Sequence, residues 1–165
     1  MAGRDPMDPC SQAVDQPVKW SAVAYAGIAA GILSTIVQIV LWFVFTDALP
    51  AILFRDARFA AAIVIGRGAL SPPETFDVQV MLVATLVHFA LSVAYCLILS
   101  RLTSRLRTPS SLLVGAVFGL CLYVVNVHGF TIFFPWFDAT RDWITVVAHV
   151  IFGATAATAY KALST

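Results

Sequence analysis

The uncharged stretch from Val23 to Phe45, VAYAGIAAGILSTIVQIVLWFVF, decides the fold class. As a helix it is about 34 Å long, which exceeds the roughly 30 Å hydrocarbon core of a bilayer. It is too long for the apolar core of a signal peptide, and no small-residue cleavage pattern follows it. The stretch therefore predicts a transmembrane helix that is retained in the chain.

The composition agrees with this prediction. Hydrophobic residues make up 60% of the chain and charged residues 12%, against about half and a quarter in soluble proteins. The net charge of +1 and the absence of a dense Lys/Arg run exclude nucleic-acid binding. The three cysteines show no CxxC spacing, so no disulfide framework is expected.

Further apolar runs complete the predicted architecture. PAILFRDARFAAAIVIG, residues 50–66, is too short to span a bilayer and carries three charges, so it predicts an interfacial helix between a first-turn Pro and a capping Gly. The polar residues 1–19 predict a flexible cytoplasmic tail, and residues 20–165 a single domain. The fold class is therefore all-α, a polytopic membrane protein with four transmembrane helices in a bundle plus this interfacial helix. The spans are expected at about 21–46, 77–101, 109–132 and 142–163.

The basic residues predict the orientation. Six Lys and Arg lie on the side of the chain termini and four on the other side. This excess favours a cytoplasmic location for both termini in a bacterial inner membrane. The first group is Arg4, Lys19, Arg101, Arg105, Arg107 and Lys161, and the second is Arg55, Arg58, Arg67 and Arg141.

Polar residues inside the spans gather in the outer half of the predicted bundle, where a polar side chain tends to face the interior or a wet cavity. Asn126 and His128 are about 200° apart on a helix, so only one of them can face a shared site. Asp142 precedes His149 by two turns, which places an acid at the mouth of this cluster. The predicted polar core is Gln38, His88, Asn126, His149 and Asp142, with His128 as the alternative to Asn126.

Three interpretations of the histidines remain open. Each neutral imidazole bonds a neighbouring helix, or the cluster handles protons or a metal beside Asp138 and Asp142. In the third, His128 and His149 are the axial ligands of a b-type haem. No CxxCH is present, so covalent haem attachment is excluded, and the sequence requires no cofactor.

Other patterns bear on packing and on catalysis. Gly27 with Gly31, and Gly115 with Gly119, match GxxxG and predict close helix contacts, within one chain or between copies. The chain contains no GxSxG, HExxH, Walker loop or dinucleotide fingerprint. We therefore expect that it is not an enzyme.

The segments VHFALSVAYCLIL, LVGAVFGLCLYVVNVHGFTIFFPWF, RDW and AHVIFG, between residues 87 and 153, carry a family resemblance. From about Pro50 onward the chain resembles a group of small proteobacterial inner-membrane proteins with four helices. Over roughly Asp77 to Lys161 it looks like a distant relative of the YagU-like inner-membrane family, a domain of unknown function. That resemblance implies a link to survival in acid. Some relatives carry a sodium:proline symporter label, but the chain lacks the inverted repeats and broken helices of that fold.

These observations lead to one functional hypothesis and two alternatives. The hypothesis is that the polar core takes up protons from the periplasm, or supports contact with a partner membrane protein, in response to acid or envelope stress. The first alternative is a haem b electron carrier. The second is an oligomeric component of a transporter for small solutes or ions, since one four-helix chain encloses little volume.

Overall fold

The computed structural model describes residues 18–164, and this part of the chain is helical without any strand. Most of the predicted tail, residues 1–17, lies outside the described residues. The all-α prediction is confirmed. The helices are α1 (Trp20–Phe45), α2 (Ala51–Ile65), α3 (Val78–Thr103), α4 (Thr108–Tyr123) and α5 (Trp143–Ser164).

Four helical segments are long and apolar enough to cross a membrane, namely α1, α3, α5 and α4 with its continuation to Ile132. Each begins and ends within two residues of its predicted span. Helix α2 has 15 residues and is too short to span. Its bounds lie one residue inside the predicted interfacial helix. The chain is therefore a membrane protein with four transmembrane helices.

The order of packing leaves one side of the bundle open. Helix α1 lies between α3 and α5, and α5 packs along α4. Helices α3 and α4 are neighbours in sequence but meet over only a short region. The bundle is therefore least tightly closed between α3 and α4.

Glycines make the close helix contacts that the GxxxG patterns predict. A Cβ on Gly27 would lie 2.9 Å from Val93 Cα on α3, and one on Gly119 would overlap the carbonyl oxygen of His149 on α5. A Cβ on Gly115 would overlap the carbonyl oxygen of Gly153. Backbones approach this closely only where no side chain intervenes. The prediction of close packing within one chain is confirmed.

The last part of the third span departs from a regular α-helix. Residues Val124–Gly129 form a wider π-helical turn, and Phe130–Ile132 a tighter 3₁₀ turn. A π turn inserts an extra residue into the helix and so changes which side chains face inward. Such turns are common at functional sites, and this one contains Asn126.

Helix α2 docks on one end of the bundle. Ala61 and Ala62 are buried against Val80 and other small residues at the start of α3. The indole N–H of Trp136, in the 3₁₀ helix Pro135–Thr140, donates to the carbonyl of Phe59 at 3.1 Å. Helix α2 is thus a fixed part of the fold.

The charged residues divide between the two ends. Lys19 donates to the carbonyl of Ser164 at 2.6 Å, so the start of α1 and the end of α5 lie together. We call this the terminal end, and the opposite one the α2 end. Among residues 18–164, the terminal end carries five Lys and Arg without an acid, while the α2 end carries all six Asp and Glu with four Arg.

Candidate functional site

A cavity of about 180 Å³ lies between the four spans, in the half of the bundle nearer the α2 end. Gln38, His88, Asn126 and His149 of the predicted polar core all line it. Within residues 18–164, no Lys, Arg, Asp or Glu contributes to its lining. The structure therefore brings four predicted site residues from four spans to one cavity that uncharged polar and apolar side chains line. Its other polar lining residues are Ser34, Thr35, Ser92 and Tyr95.

Three of these side chains form a hydrogen-bonded relay that joins α3, the π turn after α4, and α5. The Tyr95 hydroxyl donates to Asn126 Oδ1 at 2.7 Å, and Asn126 Nδ2 lies 3.4 Å from His149 Nε2. His149 Nδ1 lies 2.8 Å from the carbonyl oxygen of Thr145. A carbonyl only accepts, so Nδ1 carries the hydrogen and Nε2 accepts from the amide. This assignment from the partners makes His149 a neutral imidazole.

Asp142 is linked to the relay but does not line the cavity. Its carboxylate accepts from the Thr145 backbone N–H at 2.8 Å and from the Thr145 hydroxyl at 3.2 Å. A carboxylate that accepts from the N–H three residues later is a helix N-cap. Asp142 therefore starts α5, and Thr145 connects it to His149. Of the five residues predicted for the polar core, Asp142 alone lies outside the cavity lining, and it is connected to His149 through Thr145.

His88 stands on the other side of the cavity, against α1. Its Nε2 lies 3.4 Å from both Thr35 Oγ1 and the carbonyl oxygen of Gly31. A Cβ on Gly31 would lie 2.9 Å from Ser92 Oγ and 3.1 Å from His88 Nε2. The glycine therefore leaves room for both polar groups to face the cavity.

Several polar groups near the cavity have unmet hydrogen-bonding capacity. Among the described residues, the Gln38 amide and the Ser92 hydroxyl have no hydrogen-bond partner. The indole N–H of Trp42, one helical turn beyond Gln38, is buried and also unpartnered within residues 18–164. Unpaired polar groups at membrane depth are costly, and water or a ligand can satisfy them. The site can therefore hold polar molecules.

His128 does not reach the cavity. Its side chain is exposed, and its ring packs edge-on against Tyr123 at 5.5 Å between centroids. The same Tyr123 ring contacts His149 at 5.8 Å. Asn126 therefore takes the inward position that the sequence left open between Asn126 and His128, since the two residues lie on different faces of the π turn.

The hydrogen bonds of His149 affect its predicted role, with His128, as an axial ligand of haem. Both ring nitrogens of His149 already have partners, so haem ligation would require it to give up the bond to Asn126. In the part of the chain that the structure describes, no group of three or more His, Cys, Asp or Glu is placed to hold a metal. Haem binding by this pair stays a prediction.

A second titratable site lies on α2. Burial raises the pKa of Asp56 to about 6, although Arg55 beside it acts in the opposite direction. Arg55 Nε donates to the Asp56 carboxylate at 2.9 Å, and its guanidinium lies 5.4 Å from the Phe59 ring centroid. In sequence these charges only interrupted an apolar run, so the burial of Asp56 was not foreseen.

Sequence reasoning also missed two residues of α1. Ser34 and Thr35 line the cavity, and each lies within one helical turn of Gln38. Polar residues at this spacing in an apolar helix share a face, so the pattern was present in the sequence. The apolar lining, by contrast, carries no signal that separates it from ordinary core.

No family model, no curated protein and no solved structure matches this chain.

Proposed function

We propose that this is an inner-membrane protein with both termini cytoplasmic, and that His149 takes up a proton from the periplasmic side. The observation that carries the proposal is the neutral His149 imidazole, which lines a cavity and is bonded to Asn126. A histidine that only joins two helices needs no cavity beside it. Imidazole is also the side chain that titrates near neutral pH, which suits this role.

The relay supports both protonation states of His149. When Nε2 gains a hydrogen, it needs an acceptor in place of the Asn126 amide N–H. Rotation of the amide by half a turn presents Oδ1 to His149 and Nδ2 to the Tyr95 hydroxyl, which can accept as well as donate. The same three side chains thus remain paired after proton uptake, without a large movement.

The groups around His149 fit this role. His88 and Tyr95 face the cavity from α3, and Asn126 and Tyr123 contact His149 from the third span. No charged side chain of the described residues enters the lining. The carboxylate of Asp142 lies nearer the α2 end than His149 does. Thr145 links the two residues by hydrogen bonds. An acid at that end favours the approach of a proton from that side.

The distribution of charge supports the proposed orientation, and the family resemblance supports the proposed role in stress. The excess of Lys and Arg at the terminal end of residues 18–164 favours a cytoplasmic location for that end, which directs the α2 end to the periplasm. The resemblance to YagU-like proteins supports a role in acid or envelope stress. Within that role the protein acts as a homo-oligomer or with a partner membrane protein.

An outside pH jump on liposomes tests the proposal. With the protein reconstituted and the inner pH held constant, lowering the outer pH from about 7 to about 5 should change the tyrosine and tryptophan fluorescence. All variants carry Asp56→Asn, because Asp56 also titrates in this range, with a pKa of about 6, on the helix that contacts Trp136. In this background His149→Gln should abolish the change, whereas His128→Gln, at an exposed position outside the cavity, should preserve it. An equal response with and without His149→Gln would refute proton uptake at His149.

A further inference from the structure

The part of the cavity lining that α1 and α3 contribute contains hydrogen-bond donors and acceptors that have no protein partner among residues 18–164. The Gln38 amide offers two donors and an acceptor, and the Ser92 hydroxyl offers one donor. Neither has a partner among residues 18–164, and His88 Nδ1 has none there either. At this depth the surrounding lipid cannot satisfy them, so their partners must come from inside the cavity.

The size and the remaining lining favour one compact molecule with an apolar body. The cavity, at about 180 Å³, is slightly larger than the roughly 150 Å³ space that accommodates benzene in another protein. Leu122 on α4 and Phe152 on α5 add apolar side chains to the lining. A six-membered ring with one or two polar substituents matches both the volume and the lining.

The cavity also has an approach from the side. Leu91 lines it and is 39% exposed on the outer surface of α3. This helix meets α4 over only a short region, so the least tightly closed side of the bundle lies next to the cavity. In a membrane that side faces lipid, from which an amphiphilic ring can enter.

We propose that the cavity binds a neutral ring bearing a phenolic hydroxyl or a quinone-type carbonyl, with its oxygen paired to Gln38 and Ser92. An ionic ligand would bring an uncompensated charge, because no charged side chain of the described residues lines the site. A purely apolar ligand would leave Gln38 unpaired. This inference goes beyond proton uptake and does not require it, since Gln38 and Ser92 lie outside the relay of Tyr95, Asn126 and His149.

Phenol and benzene form a matched pair of probes. Each is titrated into isotope-labelled protein in lipid nanodiscs, and saturable shifts of the His88 and His149 ring signals report binding. Wild type should bind phenol more tightly than benzene. Gln38→Leu should weaken phenol binding by about tenfold or more and leave benzene binding unchanged or tighter, because a site built for a hydrogen bond discriminates by that bond.

The control is Thr85→Val on the exposed face of α3, where the hydroxyl donates to the Met81 carbonyl of its own helix, and it should leave both probes unaffected. Ser92→Ala gives the same test if Gln38→Leu does not fold. Equal binding of phenol and benzene by wild type, or no saturable shift with either, would overturn the proposal. So would an equal loss of both probes in Gln38→Leu.

The compound 4-decylphenol tests whether the ring-bearing ligand enters from the lipid or from solution. Its tail must leave through the side opening, so tighter binding than phenol, lost in Leu91→Trp while phenol binding is kept, assigns the site to a lipid-dissolved ring. Binding of phenol without 4-decylphenol assigns it to a free phenolic solute. Both results support the same recognition chemistry, and failure of both compounds would refute it.

Discussion

The two halves of the bundle use polar residues in different ways. In the terminal half, the buried hydroxyls of Ser100 and Thr103 bond their own helix, at the carbonyls of Leu97 and Leu99. The Ser111 hydroxyl there is buried and has no partner among residues 18–164. In the half near α2, Tyr95, Asn126 and His149 bond one another across three helices, beside a cavity. The first half is filled by small residues such as Ala26, Ala30, Ala156 and Ala157, which are fully buried.

The difference separates packing from function. A hydroxyl that donates to a backbone carbonyl of its own helix needs no partner on another helix, so the span packs as an apolar helix does. Amides and imidazoles that reach across helices at membrane depth are costly unless fully partnered. Their concentration in one half, with Gln38 and Ser92 still unpartnered among residues 18–164, marks that half as the site.

The largest effect on stability is expected at Gly119, where the closely packed terminal half meets the cavity. Gly119→Ala would drive a Cβ into the His149 carbonyl oxygen and separate α4 from α5. We expect a loss of about 3 kcal/mol or more in the free energy of unfolding, measured by denaturant unfolding in detergent. Gly129→Ala is the control, because its Cβ would meet no atom closer than 4.0 Å. Equal stability of the two variants would contradict the close contact.

A smaller effect is expected from the relay itself. Asn126→Leu removes the hydrogen bonds to Tyr95 and His149 and should cost about 1–2 kcal/mol in the free energy of unfolding. A double-mutant cycle with Tyr95→Phe should give a coupling of about 0.6–1 kcal/mol. The exposed His128→Leu should change stability by less than about 0.5 kcal/mol. Strict additivity of Asn126→Leu and Tyr95→Phe would show that their bond contributes nothing.

The docking of α2 should depend on pH through Asp56. Its pKa rises from 3.8 to about 6 on folding, so between these values the folded protein binds more protons than the unfolded chain. Stability contributed by this group therefore falls as pH rises from about 4 to about 7, by at most about 3 kcal/mol and less because the side chain is 21% exposed.

Hydrogen exchange of the α2 amides, corrected for intrinsic rates, measures this dependence. Asp56→Asn should hold α2 at neutral pH as firmly as wild type holds it in acid. Asp138→Asn is the control, since that carboxylate is 65% exposed beside Arg141. If wild-type α2 is protected equally at pH values of about 5 and about 7, Asp56 is not the titrating group.

The last prediction concerns the absorption spectrum, where we expect no effect of the two histidines. Because His149 is already paired on both ring nitrogens, we expect protein purified in mild detergent to show no Soret band before or after dithionite. A Soret band lost in both His128→Gln and His149→Gln would instead support the electron-carrier alternative. His88→Gln, in the same cavity but outside that pair, is the control.

The sequence predicted the spans because long uncharged runs admit few structures in a membrane. It also predicted Gln38, His88 and His149 as neighbours, since polar residues at similar depth share an interior. It did not predict the π turn at Asn126, because local backbone insertions depend on packing between helices rather than on residue pattern. The burial of Asp56 was missed for the same reason, since it depends on how α2 docks.

The most direct measurement is a pH titration of the histidine ring nitrogens by NMR in lipid nanodiscs, with His128→Gln and His149→Gln used for assignment. The account predicts that the His149 signals change from a neutral to a charged imidazole as the pH is lowered, and that the Asn126 side-chain amide shifts in step. A His149 ring that stays neutral at every pH at which the protein remains folded would contradict the account and leave the relay as a structural link between helices.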